Sequence, residues 1–94
     1  MPYLLVRHTV RDYAQVKPAY HEHEPTRKAY GSKHACLFRN VDNPNETFLL
    51  FEWDDLEQAH WFTQSDDLHQ TLERAGVADR PDVYFLEEIE QTPS

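Results

Sequence analysis

The sequence predicts an α+β domain in which helices cover one face of a single antiparallel sheet, with the element order βαββαβ. Three observations carry this. Four short runs, residues 3–10, 33–41, 46–53 and 83–89, have the aromatic and β-branched composition of strands. Helical apolar spacing appears only between the first and second runs and between the third and fourth. The second and third runs are joined by Asp42-Asn43-Pro44-Asn45, a strong turn signal that makes them a hairpin.

The first strand has two alternating sets, Leu4/Val6/His8/Val10 and Tyr3/Leu5/Arg7/Thr9. Both begin apolar, and the second turns polar toward its end. Pro2 suits a strand start or an edge. Asp12 then caps a helix whose buried face runs Tyr13, Val16 and Tyr20, continuing to His23 or Glu24. Pro18 lies too deep for a first-turn proline under that cap, so the helix starts near Lys17 or its first turn is irregular. Pro25 kinks or ends the helix, residues 26–30 form a second short piece, and Gly31 stops it.

The second strand alternates His34/Cys36/Phe38 with Ala35/Leu37/Arg39. The third is apolar on both faces, with Phe48/Leu50 on one and Leu49/Phe51/Trp53 on the other. Asp54 and Asp55 cap the next helix, whose core stripe is Leu56, Ala59 and Phe62. Ser65 caps another, with Asp66 and Asp67 in its first turn, Leu68, Leu72 and Ala75 on one face, and Gly76 as its stop. Arg80-Pro81-Asp82 leads into the last strand, and residues 91–94 form a frayed tail. The order is the ferredoxin-like split βαβ pattern, with the later helix in two pieces. A lone sheet of this kind leaves one face in water. Here the middle strands are apolar on both faces, so a partner is expected on the free one, most simply a symmetric homodimer.

Length and composition bound the remaining readings. The 94 residues make one domain, spanning positions 1–94. A net charge of −8, with no basic cluster, argues against nucleic acid and anionic membrane surfaces as partners. One cysteine, Cys36, excludes an intrachain disulfide, and its place in a strand predicts a buried structural thiol. No signal peptide and no membrane-spanning run is visible, so a cytoplasmic location is expected.

Several segments resemble the dimeric α/β-barrel superfamily, near its antibiotic-biosynthesis-monooxygenase-like and cyclase-like small proteins. They are Asp12-Tyr13, Arg27-Lys28-Ala29-Tyr30-Gly31-Ser32, Leu37-Phe38-Arg39-Asn40, Phe51-Glu52-Trp53-Asp54-Asp55-Leu56-Glu57-Gln58-Ala59, Ala75-Gly76-Val77 and Val83-Tyr84-Phe85-Leu86. The resemblance implies two ferredoxin-like subunits closing their sheets into a barrel, each with a cavity between sheet and helices. It implies no cofactor, and a cofactor-independent monooxygenase, cyclase or isomerase if the chain is an enzyme. The haem-degrading subgroup has a histidine ligand on its later helix; the equivalent position here is about Leu72, with His69 nearby.

The histidines are the residues that suggest chemistry. His21 and His23 lie two apart, about 200° around a regular helix, so they cannot chelate one metal together. No structural metal is expected, since one cysteine and no regular Cys/His spacing are present. His23 continues the buried helix face, while His8 shares a strand face with Leu4 and Val6. Each is either a histidine satisfied at the core edge or a wall of the cavity. In the second case they form the candidate catalytic pair for proton transfer, with histidine-based metal binding as a weaker alternative. Tyr20, His60, Trp61 and Tyr84 are the candidate ligand-binding residues, and Trp61 has an equally good reading as an interface aromatic. The expected ligand is a small apolar or aromatic molecule, and the alternative is a non-catalytic binding or accessory dimer.

Overall fold

The computed structural model describes residues 2–74, 76 and 81–94, with the side chain of Asp67 outside the described set. The predicted positions Ala75, Val77 and Arg80 also lie outside it. The strands are β1 (Pro2–Thr9), β2 (Ser32–Arg39), β3 (Glu46–Trp53) and β4 (Asp82–Glu87). They form one antiparallel sheet in the order β2-β3-β1-β4, with β1 pairing both β3 and β4. The helices are α1 (Val16–Glu22), α2 (Glu24–Tyr30), α3 (Leu56–Thr63) and α4 (Asp66–Arg74). This is the expected α+β, ferredoxin-like architecture, with both helical connections in two pieces.

Local chemistry explains each break. Asp12 accepts a hydrogen bond from the Ala14 amide at 3.0 Å and caps a 3₁₀ turn, Tyr13–Gln15, which leads into α1. The irregular first turn moves the α-helical start to Val16, so Pro18 falls within the first turn, where its missing N–H costs nothing. Pro25 occupies the first turn of α2 for the same reason, and the break falls at His23. Gly31 ends α2 at φ +107°, a left-handed conformation that glycine adopts without a Cβ penalty. Asp55 caps α3 through the Gln58 amide, and Ser65 caps α4 through the Leu68 amide. Asp54, expected to share the α3 cap, is instead ion-paired with Lys33 at 2.9 Å.

The sheet register sorts the side chains. Leu4, Val6, His8, Thr47, Leu49, Phe51 and Trp53 face the helices and are buried. Against them pack Ala59, Phe62 and Leu68. Fully burying side chains of this size is worth about 1.5–3 kcal/mol each. Leu56, expected in the core stripe, is 45% exposed. It is the first residue of α3, so it overhangs the end of the layer beside Pro2, Phe85 and Leu86.

The opposite face carries Leu5, Phe48, Leu50, Cys36, Phe38, Tyr84 and Leu86 in register. Phe38, Tyr84 and Leu86 are exposed there. Cys36 is exposed as well, against the expectation of a buried thiol: its strand set points away from the helices, and only Ala35 and Leu37 of β2 pack on the core. An ionic cluster marks one end of this face. Arg7 donates to Glu46 from Nε at 2.9 Å and from Nη2 at 2.6 Å, and to Asp82 at 3.2 Å, tying β3, β1 and β4 together. No helix among the described residues is long and apolar enough to cross a membrane.

Candidate functional site

His8 and His23 are brought together by the fold. His8 comes from the helix-facing side of β1, and His23 from the joint between α1 and α2. Their exposures are 1% and 4%. Both line one partly enclosed cavity of about 20 Å³ between the sheet and the helices. Its other walls are Val16, Ala19 and Tyr20 from α1, Leu49 and Phe51 from β3, and Leu68, Thr71 and Leu72 from α4, with Arg27 at one side. The joint is a consequence of Pro25. The His23 carbonyl accepts from the Arg27 amide at 3.0 Å while its own amide donates to Ala19, so one residue closes α1 and opens α2. Its imidazole packs on Phe62, ring centroids 5.5 Å apart. The lining is mainly apolar, with the two imidazoles, Tyr20, Thr71 and Arg27 as its polar groups. A cavity of this size holds about one water. The arrangement can move protons between two buried imidazoles and a group lying between them.

Arg27 is the residue that sequence reasoning passed over as a site residue. It is 5% exposed, and no carboxylate of the described residues lies within ion-pair distance of it. Its Nη1 donates at 2.7 Å to the Tyr20 carbonyl, one of the last-turn carbonyls that the break in α1 leaves over. The guanidinium lies 4.3 Å from the Tyr20 ring centroid and 5.7 Å from that of Phe51. Burial lowers its pKa and raises that of the Tyr20 phenol. The signal was present in the sequence: Tyr20, His23 and Arg27 continue one helical face by steps of three and four. Beyond Arg27 the cavity gives way to an open cleft of about 260 Å³ between α2 and the start of β2.

The remaining sequence-selected residues lie elsewhere. Trp61 is 59% exposed and lines none of the cavities described here. His60 stacks on Phe85 with ring centroids 4.0 Å apart, at the β4 edge of the helical layer. Tyr84 is on the open sheet face. His21 is exposed and edge-on to Tyr20, turned away from His23 as the helical angle requires. Among the described residues no group of three or more His, Cys, Asp or Glu side chains is placed to hold a metal ion.

Comparison with solved structures decides the fold. An antibiotic biosynthesis monooxygenase-like protein from Bordetella bronchiseptica superposes with a TM-score of 0.82 at 17% identity, covering 95% of this chain and 97% of that one. The chain has the antibiotic biosynthesis monooxygenase-like fold. SnoaB of Streptomyces nogalater, a cofactor-independent oxygenase, shares this fold with a TM-score of 0.80 at 13% identity, over 99% of this chain and 97% of its own. A Deinococcus radiodurans structure of the same description gives 0.76 at 17% identity. In sequence, a Haloarcula marismortui protein, named as a candidate haem-binding protein, is 32% identical over 89 residues. The match covers 83% of this chain but only 13% of the length of that relative. No family model matches the sequence.

Proposed function

We propose that this monooxygenase-like domain binds a small apolar or aromatic molecule between its sheet and helices. As an enzyme it would use His8 and His23 for proton transfer in a cofactor-independent oxygenation, cyclisation or isomerisation. The observation that carries the reading is the convergence of two buried histidines, from elements far apart in sequence, on one partly enclosed, mainly apolar cavity. The shared fold with SnoaB supports the reaction class. A neutral imidazole there accepts a proton from an acidic C–H or O–H of the substrate, and its neighbour returns one. Ligand pockets are commonly about 300–1,000 Å³, so binding requires α1 and α4 to part from the sheet. The interrupted α1–α2 and α3–α4 joints are places in this layer where the helices are already divided.

The test uses dioxygen uptake and product formation with a panel of hydroxylated aromatic substrates. His8→Ala and His23→Ala are each expected to lower kcat by roughly 10²–10⁴-fold with ligand affinity retained. Full turnover in both variants removes the assignment.

A haem does not fit this cavity. Its volume of about 20 Å³ is far below a porphyrin's needs, and Leu72, on its wall, is at about the position where the resemblance puts the haem-degrading subgroup's histidine ligand. The name of the Haloarcula relative describes a protein of which this chain matches a small part.

A second reading concerns assembly. We infer that a second copy of the chain covers the open sheet face, since Phe38, Tyr84 and Leu86 otherwise lie in water beside Leu5, Phe48 and Leu50. In this reading the barrel dimer is shared by the enzymatic and the non-catalytic alternatives.

A further inference from the structure

The geometry points to a binding site for a small organic carboxylate in the cleft between α2 and β2, with Arg27 at its base and Lys33 at its rim. The cleft holds about 260 Å³ and shares only Tyr20 and Arg27 with the histidine cavity, so the inference stands apart from any reaction there. Three observations support it. First, the molecule carries a net charge of −8, yet three cations, Arg27, Lys28 and Lys33, line this one cleft, with Glu24 as its single acid. Glu24 pairs with Lys28 at 3.4 Å and acts on Arg27 only from a distance, so no carboxylate of the described residues is within ion-pair reach of Arg27.

Second, Arg27 is nine-tenths buried, and its one hydrogen bond, to the Tyr20 carbonyl, uses one of five donors. A guanidinium cannot shed its charge, so burial with no carboxylate in direct contact leaves a desolvated cation whose natural complement is an incoming anion. Stacking on Tyr20 fixes the guanidinium plane, which suits a planar carboxylate engaged by two parallel N–H bonds. Third, Lys33 is held at the rim by Asp54 at 2.9 Å, and Asp54 is spared from capping because Asp55 fills that role. Lys33 is therefore a second cation that a ligand carboxylate reaches by exchange with an exposed side chain.

The test compares phenylacetate, its uncharged analogue phenylacetamide, and inorganic phosphate on the whole protein, followed by backbone and arginine side-chain NMR. Phenylacetate is expected to shift the Arg27 Nε–H signal and the amides of Ser32, Lys33 and His34, and phenylacetamide to bind at least about tenfold more weakly. Arg27→Lys keeps the charge and loses the fork, and is expected to weaken phenylacetate roughly tenfold. Lys33→Gln weakens it less. Asp54→Asn, which removes the competing carboxylate without touching the helix cap, tightens it. Lys33 and Asp54 are exposed, so those two variants carry the test if Arg27→Lys does not fold. Equal binding of the acid and the amide, or shifts located away from the cleft, would overturn the site. Phosphate binding more tightly than phenylacetate at the same signals would overturn the carboxylate assignment.

Discussion

Phe62 is the contact through which the helices hold the sheet. Its ring centroid lies 5.5 Å from His23, 5.7 Å from Tyr30, 5.6 Å from Phe51 and 5.1 Å from Trp53. Phe62→Ala is expected to cost about 3–5 kcal/mol in urea unfolding. A domain of this length has a total stability of only about 5–14 kcal/mol, so the variant should be marginal at room temperature. A loss below about 1 kcal/mol would mean that this aromatic cluster collapses around the gap. At this scale the buried members of the later helix, Ala59 and Phe62, were legible from spacing alone. Leu56 and Cys36 were not. Spacing assigns a face but not whether anything lies over it: Leu56 sits at the helix end beyond its cover, and Cys36 points to the face the helices do not reach. Arg27 was legible as part of the helical face and was passed over because arginine is usually solvated.

At the scale of elements, Gly31 sets the turn from α2 into β2 and hence the floor of the carboxylate cleft. An added Cβ would meet the Gln58 side-chain amide at 2.5 Å, but the end of a flexible side chain can move aside. The backbone at φ +107° cannot be relieved that way. Gly31→Ala should therefore lose about 1–3 kcal/mol in thermal or urea unfolding, and adding Gln58→Ala should recover little of it. Full recovery in the double variant would place the cost in the side-chain clash instead. The proline and glycine positions that mark these junctions were readable in the sequence, because each acts through its own backbone. The 3₁₀ turn at Tyr13–Gln15 was one of the two readings that Pro18 left open. The limits of β3 are those predicted, while those of the other three strands moved by one or two residues, since the outermost pairings depend on the partner strand. The convergence of His8 and His23 was beyond the sequence, because it depends on how far α1 lies across the sheet.

For the whole molecule, the proposed assembly rests on the open face. The apolar residues of β3 that predicted a partner do occupy that face, with Leu50 at its centre between Leu5 and Cys36. In sedimentation velocity the unaltered protein is expected to behave as a dimer at micromolar concentration. Leu50→Lys is expected to behave as a monomer with an unchanged far-ultraviolet circular dichroism spectrum. A monomeric unaltered protein would end the proposal. Cys36, cross-strand neighbour of Leu50, gives the same face a chemical clock. It is the sole thiol in the sequence, so every molecule of disulfide reagent consumed reports on this one spot. Once two sheets close over it, its labelling slows to the rate at which they come apart. Dilution would then quicken the reaction, and the concentration at which the rate turns upward would read out the strength of the association without any tag or probe.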